Sequence, residues 1–101
     1  MLVKVANVND LKPGEGKVIS ENGKELALFN ANGKFFCIEN ECPHRGGPLG
    51  EGFLDDEIVT CPLHGAKYDI KTGKLLTQFP PSHDVKAFKV EIKNGEVFVD
   101  I

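Results

Sequence analysis

The chain has 101 residues, a formal net charge of −3, 41% hydrophobic and 27% charged side chains. That length predicts one globular domain, residues 1–101, with a core of its own, and the negative charge argues against nucleic acid as a partner. No run is apolar and long enough to span a membrane, and Met1-Leu2-Val3-Lys4-Val5-Ala6-Asn7 lacks the apolar centre of a signal peptide, so a cytoplasmic chain is expected.

Residues 2–6 alternate and predict a first strand. A loop carrying Pro13-Gly14 follows, then a strand over 17–20. Asn22-Gly23 predicts a tight hairpin turn, since both residues tolerate positive φ. Residues 25–29 return as a third strand, Ala31-Asn32-Gly33 turns again, and 34–39 form a fourth. The three strands joined by these turns predict an antiparallel meander that covers one face with Leu26, Leu28, Phe36 and Ile38. A loop rich in Pro and Gly spans 40–52. Short strands at 53–54 and 57–60 lead to a second such loop, and 66–70 leaves it as a strand that Thr72-Gly73 turns back into 74–76. Residues 79–83 have no regular period. Residues 87–92 and 96–100 alternate strictly around Asn94-Gly95, the strongest hairpin signal in the chain. No amphipathic helix or internal repeat is evident. An all-β fold with short strands follows, with residues 41–76 as a small sheet inserted in a larger one.

The two loops hold the chemistry. Cys42-Pro43-His44 and Cys61-Pro62-Leu63-His64 are Cys-x-His and Cys-x-x-His pairs with sixteen residues between them. Glycines on both sides let the backbone fold tightly around a small inorganic object. Two thiolates and two imidazoles suffice to close a metal site. A structural zinc site is one reading of this set, although zinc fingers group like ligands, as Cys-x-x-Cys and His-x-x-x-His. Here each pair mixes Cys with His, and the first has only one residue between its ligands.

Both pairs, their spacing, the Pro after each Cys and the Gly after His64 resemble the Rieske iron–sulfur family. The resemblance covers nearly the whole chain. It implies Rieske-type antiparallel sheets or a barrel, with a cluster-binding subdomain at about 41–76. It also implies one [2Fe-2S] cluster per chain, Cys42 and Cys61 holding one iron and His44 and His64 the other. In the family a proline-bearing third loop packs over the cluster, and Pro80-Pro81 falls where it would lie. A Tyr at the place of Tyr68 can hydrogen-bond a ligand sulfur; its plainer role is a strand aromatic packed in the core. High-potential members carry an extra, bridged Cys in each ligand loop and a Ser after the second His-Gly. Here Gly47, Leu63 and Ala66 stand at those places, which points to the bridge-free ferredoxin branch of lower potential.

Two further residues and one charge pattern read more simply. Cys37 sits in a strand-like run and is expected as a small buried hydrophobe. His83 lies in a polar loop and is expected at the surface. Residues 39–57 hold Glu39, Glu41, Glu51, Asp55, Asp56 and Glu57 against only Arg45, whereas 67–93 hold six Lys against Asp69, Asp84 and Glu91. This polarity makes either two solvated faces or a surface that orients a charged redox partner.

The resemblance implies a one-electron carrier, passing electrons from a flavin reductase to a ring-hydroxylating oxygenase. Small subunits of nitrite reductases look similar, and a non-redox zinc module remains the alternative from another class. Catalysis by the chain itself is not expected. An oxygenase needs a mononuclear iron held by two His and a carboxylate, and only His83 is left unassigned.

Overall fold

A computed structural model describes residues 1–42, 47–63, 65–77 and 83–101. Its ten strands, all paired antiparallel, form three sheets. β1 (Leu2–Asn7), β10 (Glu96–Asp100) and β9 (Val90–Lys93) make the first, in that order. The second runs β2 (Gly16–Glu21), β3 (Lys24–Ala31), β4 (Lys34–Glu39), β8 (Ala87–Phe88). The third, from the middle of the chain, is β5 (Phe53–Asp55), β6 (Ile58–Thr60), β7 (Lys67–Asp69). The only helical elements among the described residues are two 3-10 turns, Val8–Asp10 and Leu49–Glu51. Among the described residues no helix is long and apolar enough to cross a membrane.

The three Asn-Gly turns form as expected. Asn22, Asn32 and Asn94 have φ of 52°, 56° and 51°, and each following Gly is positive too. That is the geometry of two-residue hairpin loops whose twist matches the flanking strands.

The turns also fix which face each side chain takes, and here the structure corrects the sequence. The Asn32-Gly33 turn sets Ala31 opposite Lys34, so Leu28 pairs with Cys37 and Ala27 with Ile38. Directly opposed residues share a face. Leu26 and Leu28 therefore lie on one face of the sheet, and Phe36 and Ile38 on the other. The sequence reading put all four together. Both faces are needed because the β2–β3–β4–β8 sheet is covered on both sides.

One core joins Leu26, Leu28, Cys37, Ala6, Leu11, Ile19, Val97 and Val99 between this sheet and β1–β10–β9. The other joins Ala27, Phe29, Ala31 and Ile38 to Leu49, Val59, Tyr68, Ile70 and Val85 beside the third sheet. Burial pushes the Cys37 thiol up to about 12, so it stays a neutral, packed side chain, as expected.

Two predicted strands also change. The alternating run 87–92 breaks at Lys89, because Ala87 and Phe88 pair with β4 while Val90 begins pairing with β10. One continuous sequence pattern serves two sheets. Residues 74–76 form no strand; Leu75 makes a single bridge to Tyr68.

Gly73 ties the third sheet to the return segment. Its φ is +81°, the left-handed region that disfavours other residues. Its carbonyl accepts the Val85 N–H at 2.8 Å, and a Cβ there would strike the Val85 carbonyl. Gly73→Ala should lower unfolding stability by about 1–3 kcal/mol from the backbone strain alone, read as a fall in the urea midpoint with an unchanged slope.

Candidate metal centre

Cys42 and Cys61 are 0% and 1% exposed and belong to one buried cluster with Ala66 and Tyr68. Each is held by the same local device. The Cys42 N–H donates to the Gly47 carbonyl at 2.9 Å, and the Cys61 N–H donates to the Ala66 carbonyl at 2.8 Å. Each loop is thus closed on itself five residues after its cysteine. The first grows out of β4 and is narrowed by a bridge between Glu41 and Pro48. The second links β6 to β7; within it the Gly65 N–H donates to the Cys61 carbonyl at 3.1 Å, and Gly65 has a φ of 81°.

Two contacts bring the loops together. The Tyr68 hydroxyl lies 3.5 Å from the Cys42 Sγ in a fully buried setting. Tyr68 sits on β7, paired with Val59 of β6, so the strand leaving the second loop reaches the cysteine of the first. It fills both roles the sequence allowed it, core aromatic and partner of a sulfur. In return, the first loop comes back against the second. Gly47 is buried, and a Cβ on it would stand 2.7 Å from the Cys61 Sγ and 3.1 Å from the Leu63 Cγ. Only a residue without a side chain fits there. Position 47 thus faces position 63, and Gly and Leu leave no bridge between them.

His44 and His64 lie outside the described residues, as do Pro80 and Pro81. His83 is exposed, its Nδ1 2.8 Å from the Asp84 carbonyl oxygen, as expected of a surface residue. Around the loops Leu63 is 60% exposed, and Pro48 and Pro62 are half-buried. Glu39, Glu41, Glu51, Asp55 and Asp56 are exposed to solvent, giving the acidic stretch a free surface. Sequence reasoning missed the role of Gly47; the Gly46-Gly47 doublet was its only local signal.

The model of the Rieske [2Fe-2S] domain matches residues 1–89. The chain belongs to the Rieske [2Fe-2S] domain family. It is 35% identical over 98 residues to the biphenyl dioxygenase ferredoxin subunit of Pseudomonas sp. (strain KKS102), covering 96% of this chain and 89% of that one. Among solved structures, the Sphingomonas yanoikuyae B1 ferredoxin superposes with a TM-score of 0.90 at 31% identity, covering 100% and 99% of the two chains. A ferredoxin–oxygenase complex of carbazole 1,9a-dioxygenase matches with a TM-score of 0.88 at 32% identity, covering 97% of this chain and 91% of that one.

The described residues suit the family's cluster. Two buried thiols from self-closed loops share one core, a hydroxyl lies beside one of them, and the space beside the other is kept clear by glycine. When bound, such a cluster takes up and releases one electron. With Cys42 holding the cluster as a thiolate, which can only accept, the Tyr68 hydroxyl would donate to its sulfur and favour the more negative state. Tyr68→Phe should therefore lower the reduction potential. A hydrogen bond of about 0.5–1.5 kcal/mol converts, at 59 mV per tenfold for one electron, to a fall of roughly 20–65 mV, measured by protein-film voltammetry.

Proposed function

We propose that this chain is a one-electron carrier that binds one [2Fe-2S] cluster, with Cys42 and Cys61 on one iron and His44 and His64 on the other. The observation that supports it most is the convergence of two buried thiols from two loops closed alike, the Cys42 sulfur meeting the Tyr68 hydroxyl. Residues 41–76 act as the cluster-binding unit on a basal domain built from the rest. This unit contains the whole third sheet and both cysteines.

The chain serves electron transfer alone and turns over no organic substrate. Of its three histidines, His83 is the one not assigned to the cluster, and it hydrogen-bonds the neighbouring Asp84 carbonyl. Its acceptor is a ring-hydroxylating oxygenase, as the dioxygenase systems named for its relatives suggest, and its donor is the flavin reductase that the family resemblance implies. The same reading places the carrier in the cytoplasm beside its reductase. The exposed acidic stretch around the first loop steers a basic partner surface, and exposed Leu63 with Pro48 supplies apolar contact.

Metal analysis tests the ligand set. Purified protein should hold about two irons and two acid-labile sulfides per chain, and Cys42→Ala or His64→Ala should abolish the visible absorbance. Stoichiometric zinc without sulfide in the native protein would overturn the assignment. Transfer to a nitrite reductase but not to an oxygenase would move the acceptor to that class.

Ala66 generates a second test. It is fully buried in the same core as both cysteines, its carbonyl accepting the Cys61 N–H, and it offers no hydroxyl. The wild-type potential should lie near the low end of the roughly −150 to +300 mV spanned by such centres. Ala66→Ser should raise it by roughly 40–85 mV, the equivalent of ~1–2 kcal/mol of preferential hydrogen bonding to the reduced state. No shift, with the new hydroxyl seen crystallographically on a sulfur, would refute the account.

A further inference from the structure

Asn40 is one of two buried polar residues among those described, with 3% exposure. It stands where β4 ends and the first ligand loop begins, and it makes three hydrogen bonds there. Its N–H donates to the Glu25 carbonyl at 3.2 Å, extending the β3–β4 ladder by one step. Its carbonyl accepts the Leu49 N–H at 2.8 Å. Its side-chain Oδ1 accepts the Gly50 N–H at 2.8 Å. The outgoing and returning legs of the loop are therefore joined at one residue, by backbone and side chain together.

The returning leg has little freedom elsewhere. A Cβ on Gly50 would stand 2.8 Å from the Lys17 backbone and 2.9 Å from the Val18 Cγ2, so the turn lies hard against β2. Its Gly50 N–H is buried with it. Water cannot easily replace a lost acceptor at such a site, and an unsatisfied buried donor is far more costly than a missing bond at the surface. Beyond the neck, the Glu41–Pro48 bridge and the Cys42–Gly47 bond hold the loop to itself but not to the body of the protein.

We propose that Asn40 is the positioning residue of the first ligand loop, its side-chain oxygen locking the loop neck so that Cys42 is held against Tyr68 and Gly47 against Cys61. This inference rests on Cys42 being a cluster ligand. Opening of the neck frees both legs together, and it is the local opening through which a bound cluster is lost.

The experiment compares four cluster-loaded proteins: wild type, Asn40→Leu, Asn40→Asp and Val99→Ala. Leu has a similar volume and no acceptor. Asp keeps an oxygen in the same place. Val99 lies in the opposite core, so its truncation reports general destabilisation. Two quantities are read at 25 °C: the half-life of visible absorbance in excess chelator, and hydrogen exchange of the segment 47–52 by mass spectrometry. Asn40→Leu should lose its cluster about tenfold faster than wild type and exchange faster in that segment. Asn40→Asp should stay within about threefold of wild type, and Val99→Ala should change neither reading despite a lower Tm. Asn40→Leu holding its cluster as long as Val99→Ala, or Asn40→Asp failing as badly as Asn40→Leu, would overturn the proposal. If Asn40→Leu does not fold, Asn40→Ser, whose hydroxyl falls short of Gly50, replaces it with the same outcomes. Zinc in place of iron and sulfide in the wild type would defeat the functional reading instead. Exchange at 47–52 would then still decide whether Asn40 locks the neck.

Discussion

The approach of the Gly47 backbone to the Cys61 sulfur is the constraint on which the rest of the molecule turns. Two loops distant in sequence meet there, and any side chain at position 47 would strike the Cys61 sulfur and Leu63. Once that contact is made, the other arrangements follow. The loops must close on themselves, because a leg that wandered could not hold so short a distance. They do so through the paired bonds from Cys42 to Gly47 and from Cys61 to Ala66. The strand leaving the second loop must then run past the first, which brings Tyr68 to the Cys42 sulfur.

The three-sheet architecture supplies the rigidity this demands. β3 is buried on both faces along most of its length. Its odd-numbered side chains pack toward the cysteine loops and Leu26 and Leu28 toward the sheet made by β1, β10 and β9. A fully covered central strand is the most resistant to local opening. The first loop leaves β4, which pairs directly with this covered strand, and the second is packed against the same strand through the core of Ala27, Phe29 and Ala31.

Features that depend on neighbouring residues were legible in the sequence. The Asn-Gly turns, the hairpin at 90–100, the burial of Cys37 and the exposure of His83 all follow from local composition. The family and its cluster were legible from the Cys-Pro and His-Gly patterns, and Tyr68 was placed near a sulfur by resemblance. Features that depend on what packs overhead were not legible. Phe36 and Ile38 were put on the face of Leu26 and Leu28, because face depends on a one-residue count through the turn and both faces are apolar. The break at Lys89 is hidden because alternation continues unbroken across it while the pairing partner changes. Gly47 and Asn40 look like ordinary loop residues until the second loop and β2 are set beside them. His44 and His64 remain readings from the motif, since they lie outside the described residues.

The division of the core has a consequence for the order of events during synthesis. Every described member of the core beside the cysteine loops lies between Ala27 and Val85. The opposite core needs Val97 and Val99 from β10, which must in turn pair with β1 near the other end of the chain. Ribosomal synthesis runs from the N-terminus, and long-range strand pairing is slow. Leu26 and Leu28 thus gain their cover only after β10 has been made and has paired with β1, whereas the buried surroundings of the cysteines draw on residues 27–85.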